Sequence, residues 1–284
     1  MRDLKNVQAM KTKILDKVLL ITGVALLAIF LLFSLFPSVF ASYGAKEMFV
    51  PWQNPSFKHL LGTNDLGYDI FSELIFATRH SLLFGILSAL IASLVGALFG
   101  TIAGILDGFW GESLNGFIQV VLMIPLLPFA IAVTSLCGTS LLVEILIVGC
   151  LGWALVARVI RNQTIKLMQS DFIKALQALG TPKTRIIIFH LLPNLFEIII
   201  SRFITMVATF MLLEASMSFL GIGDIVNPTW GTMVNLAYRC GGFARGALNW
   251  LLPPCVCISL CVLSFWLLFT YFDRRSKRVQ GIKT

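Results

Sequence analysis

The residues able to do chemistry in this chain are few and scattered. Its three histidines, His59, His80 and His190, stand far apart, and none has a ligand-type residue three or four positions on. His59 and His80 read as residues of an external surface, and His190 as a cap beside Pro193-Asn194 or a titrating group in its loop. Six cysteines form no CxxC pair and no Cys/His cluster at zinc-site spacing, so they read first as small apolar packing residues. Cys255 and Cys257 with Cys240 leave a soft-metal or disulfide alternative open. Asp65, Asp69 and Glu73 gather in one polar stretch, where they could bind a cation or cap a helix and meet a partner. Trp230, after Asn227-Pro228, reads as part of a tight turn or as a gate. No GxxxxGK[ST] phosphate loop occurs, and no Gly-Lys dipeptide at all. No catalytic residue, bound cofactor or metal site is expected.

Glu214 differs because of its surroundings. It lies within a long apolar run, six residues before Leu220 and thus about 9 Å from that end of a helix. A charged side chain near mid-membrane costs roughly 2.5–3.5 kcal/mol on insertion scales. Such a group faces a cavity or a polar partner. Glu214, with Ser218 one turn on, is therefore a candidate for a translocation path, for a gate together with Trp230, or for structural hydrogen bonding. Glu144 and Glu197, near span ends, are expected to be solvated.

The elements that must position these groups are membrane helices. Of 284 residues, 57% are hydrophobic and 13% charged, about half the charge of a soluble domain. A span needs about 20 apolar residues. Candidate spans lie at 18–36, 81–106, 117–136, 141–157, 195–220 and 250–272. The first apolar run exceeds the 7–15 residues of a signal peptide core and reads as a retained helix. The expected fold is all-α and integral to the membrane, with six transmembrane helices. Its expected parts are a cytoplasmic tail at 1–17, a first helix at 18–40 and an extracytoplasmic loop at 41–80. A five-span core at 81–272 carries a cytoplasmic loop at 161–190, and a second tail covers 273–284.

Lysine and arginine orient the spans. The N-terminal tail, the loop after the fourth span and the C-terminal tail fall on one side and hold 16 of the 22 basic residues. That side is the cytoplasm, so both termini are inside. The net charge of +8 comes from these clusters, and no basic-aromatic interleaving suggests nucleic acid. Gly96, Gly100 and Gly104 repeat every four residues, which predicts close approach of another helix and, second to it, allows a substrate path along the same groove.

The loop 161–190 carries the strongest local pattern. Ser170 is placed to cap a helix, with Asp171 in its first turn. Phe172, Ile173, Leu176 and Leu179 then share a side, and Gly180 suits a left-handed helix end. Thr181 and Pro182 are placed to start a second helix. An apolar stripe here suits a partner groove or a lipid surface equally.

Asp171-Phe-Ile-Lys-Ala-Leu-Gln-Ala-Leu-Gly180, then His190-Leu-Leu-Pro-Asn194, resembles the "EAA" loop of binding-protein-dependent ABC importer permeases. Three more segments resemble the dipeptide/oligopeptide/nickel group of that family. They are His59-Leu-Leu-Gly-Thr-Asn-Asp-Leu-Gly-Tyr-Asp69, Arg79-His-Ser-Leu82, and Glu214-Ala-Ser-Met-Ser-Phe-Leu-Gly221 with Pro228-Thr-Trp-Gly231. The resemblance runs from about residue 57 to 275. Lys174 stands where the family carries its acid, Leu176 where it carries the second alanine, and Tyr68 where it carries an arginine.

The resemblance implies a type I ABC importer permease in a bacterial inner membrane, taking up small peptides or nickel and metal chelates. It implies a second, related permease subunit, cytoplasmic ATPases that bind ATP and Mg, and an external solute-binding protein. Asp171, Lys174, Ala175, Leu176, Ala178, Leu179, Gly180, Thr181, Pro182, His190, Pro193 and Asn194 would form the ATPase-coupling loop. Gly62, Thr63, Asp65, Gly67 and Asp69 would belong to the extracytoplasmic interface. The rival readings are an ion-coupled secondary transporter using Glu214, which predicts inverted repeats, and a membrane-embedded enzyme, which predicts clustered polar groups.

Overall fold

The computed structural model describes residues 2–224 and 226–279, and the side chains of 15–224 and 226–274. The basic clusters of both tails therefore lie largely outside the described side chains. Among the described residues the architecture is helical throughout, with two isolated bridges in the first extracytoplasmic loop. The helices are α1 (Arg2–Leu35), α2 (Pro37–Phe40), α3 (Ile70–Ile105), α4 (Gly108–Met123), α5 (Leu126–Cys137) and α6 (Leu141–Met168). Then come α7 (Asp171–Ala178), α8 (Lys183–Ile186), a π turn (Ile187–Leu191), α9 (Leu192–Phe219), α10 (Trp230–Arg239) and α11 (Leu248–Val279). Five helices are long and apolar enough to span a membrane, and the pair α4–α5, bent by 73°, makes a sixth. The bend falls at Ile124-Pro125, where proline removes a backbone donor and forces the preceding residue out of helical geometry.

Several boundaries differ from those expected. The third span is this broken pair rather than one helix at 117–136. The second begins at Ile70 instead of 81, so the extracytoplasmic loop ends eleven residues earlier than 80. The cause is a cap: Asp69 accepts the Ser72 N–H at 2.8 Å, and Glu73 favours the positive end of the helix. The fourth span continues to Met168, well into the loop expected at 161–190. The fifth runs unbroken from Lys183 to Phe219. Both tails continue as helix, from Arg2 and to Val279.

The most extensive pairing is α3 with α6, and the glycine stripe explains it. A Cβ on Gly96 would lie 2.6 Å from the Trp153 carbonyl oxygen, and one on Gly100 2.5 Å from that of Ala157. At Gly104 it would lie 2.5 Å from the Thr164 Cβ. Only hydrogen fits at these positions, which is how small residues bring membrane helices together. Around this pair α9, α11 and α1 complete the core, with Phe84, Phe210, Met211 and Val207 buried at its centre.

Candidate functional site

The segment between the fourth and fifth spans is short and sharply defined. α7 starts after Ser170, yet the Ser170 hydroxyl donates to the Leu167 carbonyl at 2.7 Å instead of capping α7. At the other end Gly180 takes φ +78°. The Thr181 N–H reaches the Leu176 carbonyl at 3.1 Å and the Gly180 N–H reaches that of Gln177 at 3.0 Å. These two bonds are a Schellman motif, and glycine is the residue that takes the left-handed position without strain. Pro182, rather than Thr181, stands at the cap of α8.

The stripe expected on α7 divides between two faces. Ile173 is buried and Leu176 half-buried against the protein, while Phe172 is 57% and Leu179 82% exposed. Lys174, Ala175, Ala178 and Gly180 are exposed too. α7 is thus fastened by Ile173 and presents an alanine-rich surface ending in the Leu179 knuckle. Behind it a cavity of about 470 Å³ is lined by Gly104, Asp107, Gln169, Gln177, Thr181 and Lys183.

The junction with the fifth span has its own logic. Pro193 lacks an N–H and its ring crowds the carbonyl one turn back, which would kink an ordinary helix. The chain inserts a π turn over Ile187–Leu191 just before it. The Asn194 side-chain amide donates to the His190 carbonyl at 2.6 Å, satisfying an acceptor in that turn. The His190 ring meets Phe172 edge-on at 5.3 Å, linking α7 to the start of the span. His190, Pro193 and Asn194 therefore make a joint. The proline alone signals a distortion of the helix, not that the distortion takes the form of a π turn.

At the opposite end of the fifth span Glu214, Ser218 and Trp230 are all buried and lie together. Glu214 Oε1 accepts from the Ser218 hydroxyl at 2.7 Å and from the Thr229 hydroxyl. Thr229 and Thr232 form a reciprocal capping box for α10. The Trp230 N–H donates to Ser81 Oγ at 2.9 Å, its indole N–H to the Leu74 carbonyl, and its ring packs on Phe30 at 5.3 Å. This clamp holds α10 to the ends of α3 and α9. Thr229 and Ser81 were not singled out from sequence, although their positions beside Trp230 and in the Arg79-His-Ser-Leu82 segment were available signals.

Glu144 is a correction. It is 1% exposed rather than solvated, because it faces inward on α6 within electrostatic range of Glu214 and Asp224. Glu197 is exposed as expected. Asp224 lies outside the spans. Burial would raise its pKa, but donation from the Asn227 side chain and from the backbone N–H groups of Asn227, Leu141 and Val226 outweighs burial and lowers it.

The loop between the first two spans is a polar knot. Asp69 accepts from Ser72 and pairs with His59 Nδ1 at 3.0 Å. The His59 ring packs at a tilt against Tyr43 and Phe49, which also touch each other edge-on. The Asn64 amide donates to Glu73 at 3.1 Å. Gly67 has φ +84°, and a Cβ there would lie 2.1 Å from the Phe49 carbonyl oxygen. Gly62, Thr63, Gly67 and Asp69 are buried, so within this chain they serve the knot rather than an open surface; so does His59, expected at the surface. Asp65 is half-exposed beside the Cys240 thiol, whose pKa is pushed up to about 11 by burial and by the Asp65 carboxylate. All six cysteines are free thiols. Among the described residues, no three of the His, Cys, Asp and Glu side chains gather as metal ligands.

Residues 96–278 match the family described as binding-protein-dependent transport system inner membrane component. The chain belongs to this family. It is 31% identical over 250 residues to the dipeptide transport system permease protein DppC of Alkalihalophilus pseudofirmus, covering 87% of this chain and 81% of that protein. It is 36% identical over 215 residues to the glutathione transport system permease protein GsiD of Salmonella typhimurium, covering 75% and 70%. The GsiD protein of Shigella flexneri serotype 5b is 32% identical over 252 residues, covering 87% and 82%. The chain is accordingly a multi-pass inner-membrane protein with the type I importer permease fold, and a permease subunit of a binding-protein-dependent ABC importer.

Proposed function

We propose that this permease imports small peptides and that α7 is the element through which separate cytoplasmic ATPases drive it. The relatives are named for dipeptide and glutathione transport, which favours a peptide over nickel or a metal chelate as the solute. ATP and Mg are handled by the ATPases, and a second, related but different permease completes the pore. An external binding protein delivers the solute.

The observation that carries this reading is the pairing of an exposed apolar knuckle with a stiff connection to a span. Leu179 is 82% exposed at the cytoplasmic end, where an unpartnered leucine gains nothing. The Schellman turn fixes its direction, and the joint of His190, Pro193 and Asn194 continues without a break into the helix that holds Glu214. A push on α7 is transmitted to the fifth span as a rigid movement. Lys174, standing where the family has an acid, makes the docking contact more dependent on Ala175, Ala178 and Leu179.

The test is reconstitution of the chain with its neighbouring gene products in lipid nanodiscs. Solute-stimulated ATP hydrolysis is compared between the wild type and Gly180→Asp. An aspartate Cβ and charge at φ +78° distort the turn without touching a span. Stimulation should fall at least tenfold. A chain that transports solute alone, without ATP, would overturn the reading and favour ion coupling through Glu214.

A further inference from the structure

On the extracytoplasmic face a small notch lies between the first loop and the turn after α10. Its walls are Trp52, Gln53, Asn54, Arg245 and Asn249. The Arg245 guanidinium lies 4.5 Å over the Trp52 ring, a cation–π contact that fixes its plane and leaves its edge free. Among the described residues Arg245 makes no ion pair.

The notch is also built rather than incidental. Trp52 has φ +60°, a conformation that bulky residues rarely take. It is kept there by donation of its N–H to the Asn64 carbonyl and by edge-on packing against buried Trp250 at 5.7 Å. Asn249 is tied to the Leu61 carbonyl at 2.6 Å, and Gln53 to Thr63 at 2.8 Å. The polar knot and the base of α11 thus hold the walls in place before any ligand arrives.

We propose that this notch receives an acidic side chain of the external solute-binding protein, whose carboxylate pairs with the open edge of Arg245. An uncompensated, pre-oriented guanidinium is suited to a carboxylate. Size selects the source of that carboxylate. The cavity is about 170 Å³, below the roughly 300–1,000 Å³ of sites that enclose a small molecule, so it admits one side chain and not a peptide. The contact would orient the binding protein over the extracytoplasmic ends of α3 and α11, beside the clamp that holds Glu214. The proposal rests on the importer reading and adds a docking residue to it.

The experiment measures the affinity of the cognate binding protein for the complete complex in nanodiscs. Wild type, Arg245→Ala, Arg245→Lys and Arg245→Glu are compared at two salt concentrations, with thermal melting as a control of folding. Arg245→Ala should weaken binding about tenfold, Arg245→Glu more, and Arg245→Lys less than either, with a reduced salt dependence in the alanine variant. Wild-type affinity in well-folded Arg245→Ala and Arg245→Glu would overturn the proposal. Unchanged binding-protein affinity together with weakened binding of free tripeptide would also overturn it, by assigning the carboxylate to the solute. A wild-type complex that binds no binding protein would remove the importer reading itself, and the notch's partner with it.

Discussion

The two ends of this permease invert the usual distribution of polar and apolar groups. At the end formed by the first loop and α10 polar side chains are buried: His59, Asn64, Asp69, Glu73, Glu214, Thr229 and Asp224 are all under cover. At the α7 end the apolar Phe172 and Leu179 stand in the open. The seven polar groups have hydrogen-bond partners under cover, as the His59–Asp69 and Glu214–Ser218–Thr229 contacts show. That polar network is closed on itself, although Met48, Val50, Phe57 and Phe243 around it are exposed. An exposed apolar knuckle on a stiff turn lacks its other half. The residues that looked chemical in the sequence are mostly structural, whereas the α7 surface left without a partner in this chain is built from alanine, leucine and glycine.

This contrast breaks if substitutions at the two ends behave alike. The largest effect is expected where helices touch. Gly100→Leu drives a side chain into the Ala157 carbonyl and should cost 3 kcal/mol or roughly more, seen as loss of the monodisperse protein after detergent extraction. Next comes the knot. Asp69→Ala removes the α3 cap and strands His59, at an expected cost of about 3 kcal/mol in thermal melting.

Glu214 sharpens the comparison further. Glu214→Gln keeps an oxygen for the Ser218 and Thr229 hydroxyls and should melt and transport nearly as the wild type. Glu214→Leu strands both donors and should lose about 1–3 kcal/mol. Transport abolished in a stable Glu214→Gln would instead mark a titrating role for the carboxylate.

A smaller effect concerns pH. The pKa of Asp224 is lower folded than its ordinary 3.8, so its carboxylate contributes stability that is present in full above about pH 4 and lost as pH falls through the lower folded value. Melting temperature should therefore drop less on acidification below pH 4 in Asp224→Asn than in the wild type, and the two should run parallel above pH 5.

Much of this was legible in the sequence, for physical reasons that can be named. Span number followed from apolar length, since every backbone polar group in lipid must be satisfied within a helix. The glycine stripe predicted close approach of another helix because its four-residue spacing puts the glycines on one face; that the partner is α6 came from the fold. Gly180 announced the end of α7 because few residues accept its φ. Less legible were features set by tertiary partners. Nothing local tells whether Asp69 caps a helix or meets a protein; its choice depends on Ser72 and His59 together. Ser170 had the right type for a cap, but its hydroxyl found the nearer Leu167 carbonyl. Glu144 read as solvated from its place near a span end, yet helix register turned it inward. The bend at Pro125 was hidden because a proline in an apolar run fits a kink or a break equally.

The smallest effect on stability, and the most direct test of coupling, falls on Leu179. In a background lacking exposed Cys137 and Cys150, Leu179→Cys is reconstituted with the ATPases and treated with a short thiol cross-linker. The account predicts a melting temperature within about 1 °C of the parent and a cross-link to an ATPase subunit whose yield changes when ATP is added. A thiol at position 179 that reacts freely with small reagents in the assembled, ATP-hydrolysing complex, and never joins an ATPase, would contradict it.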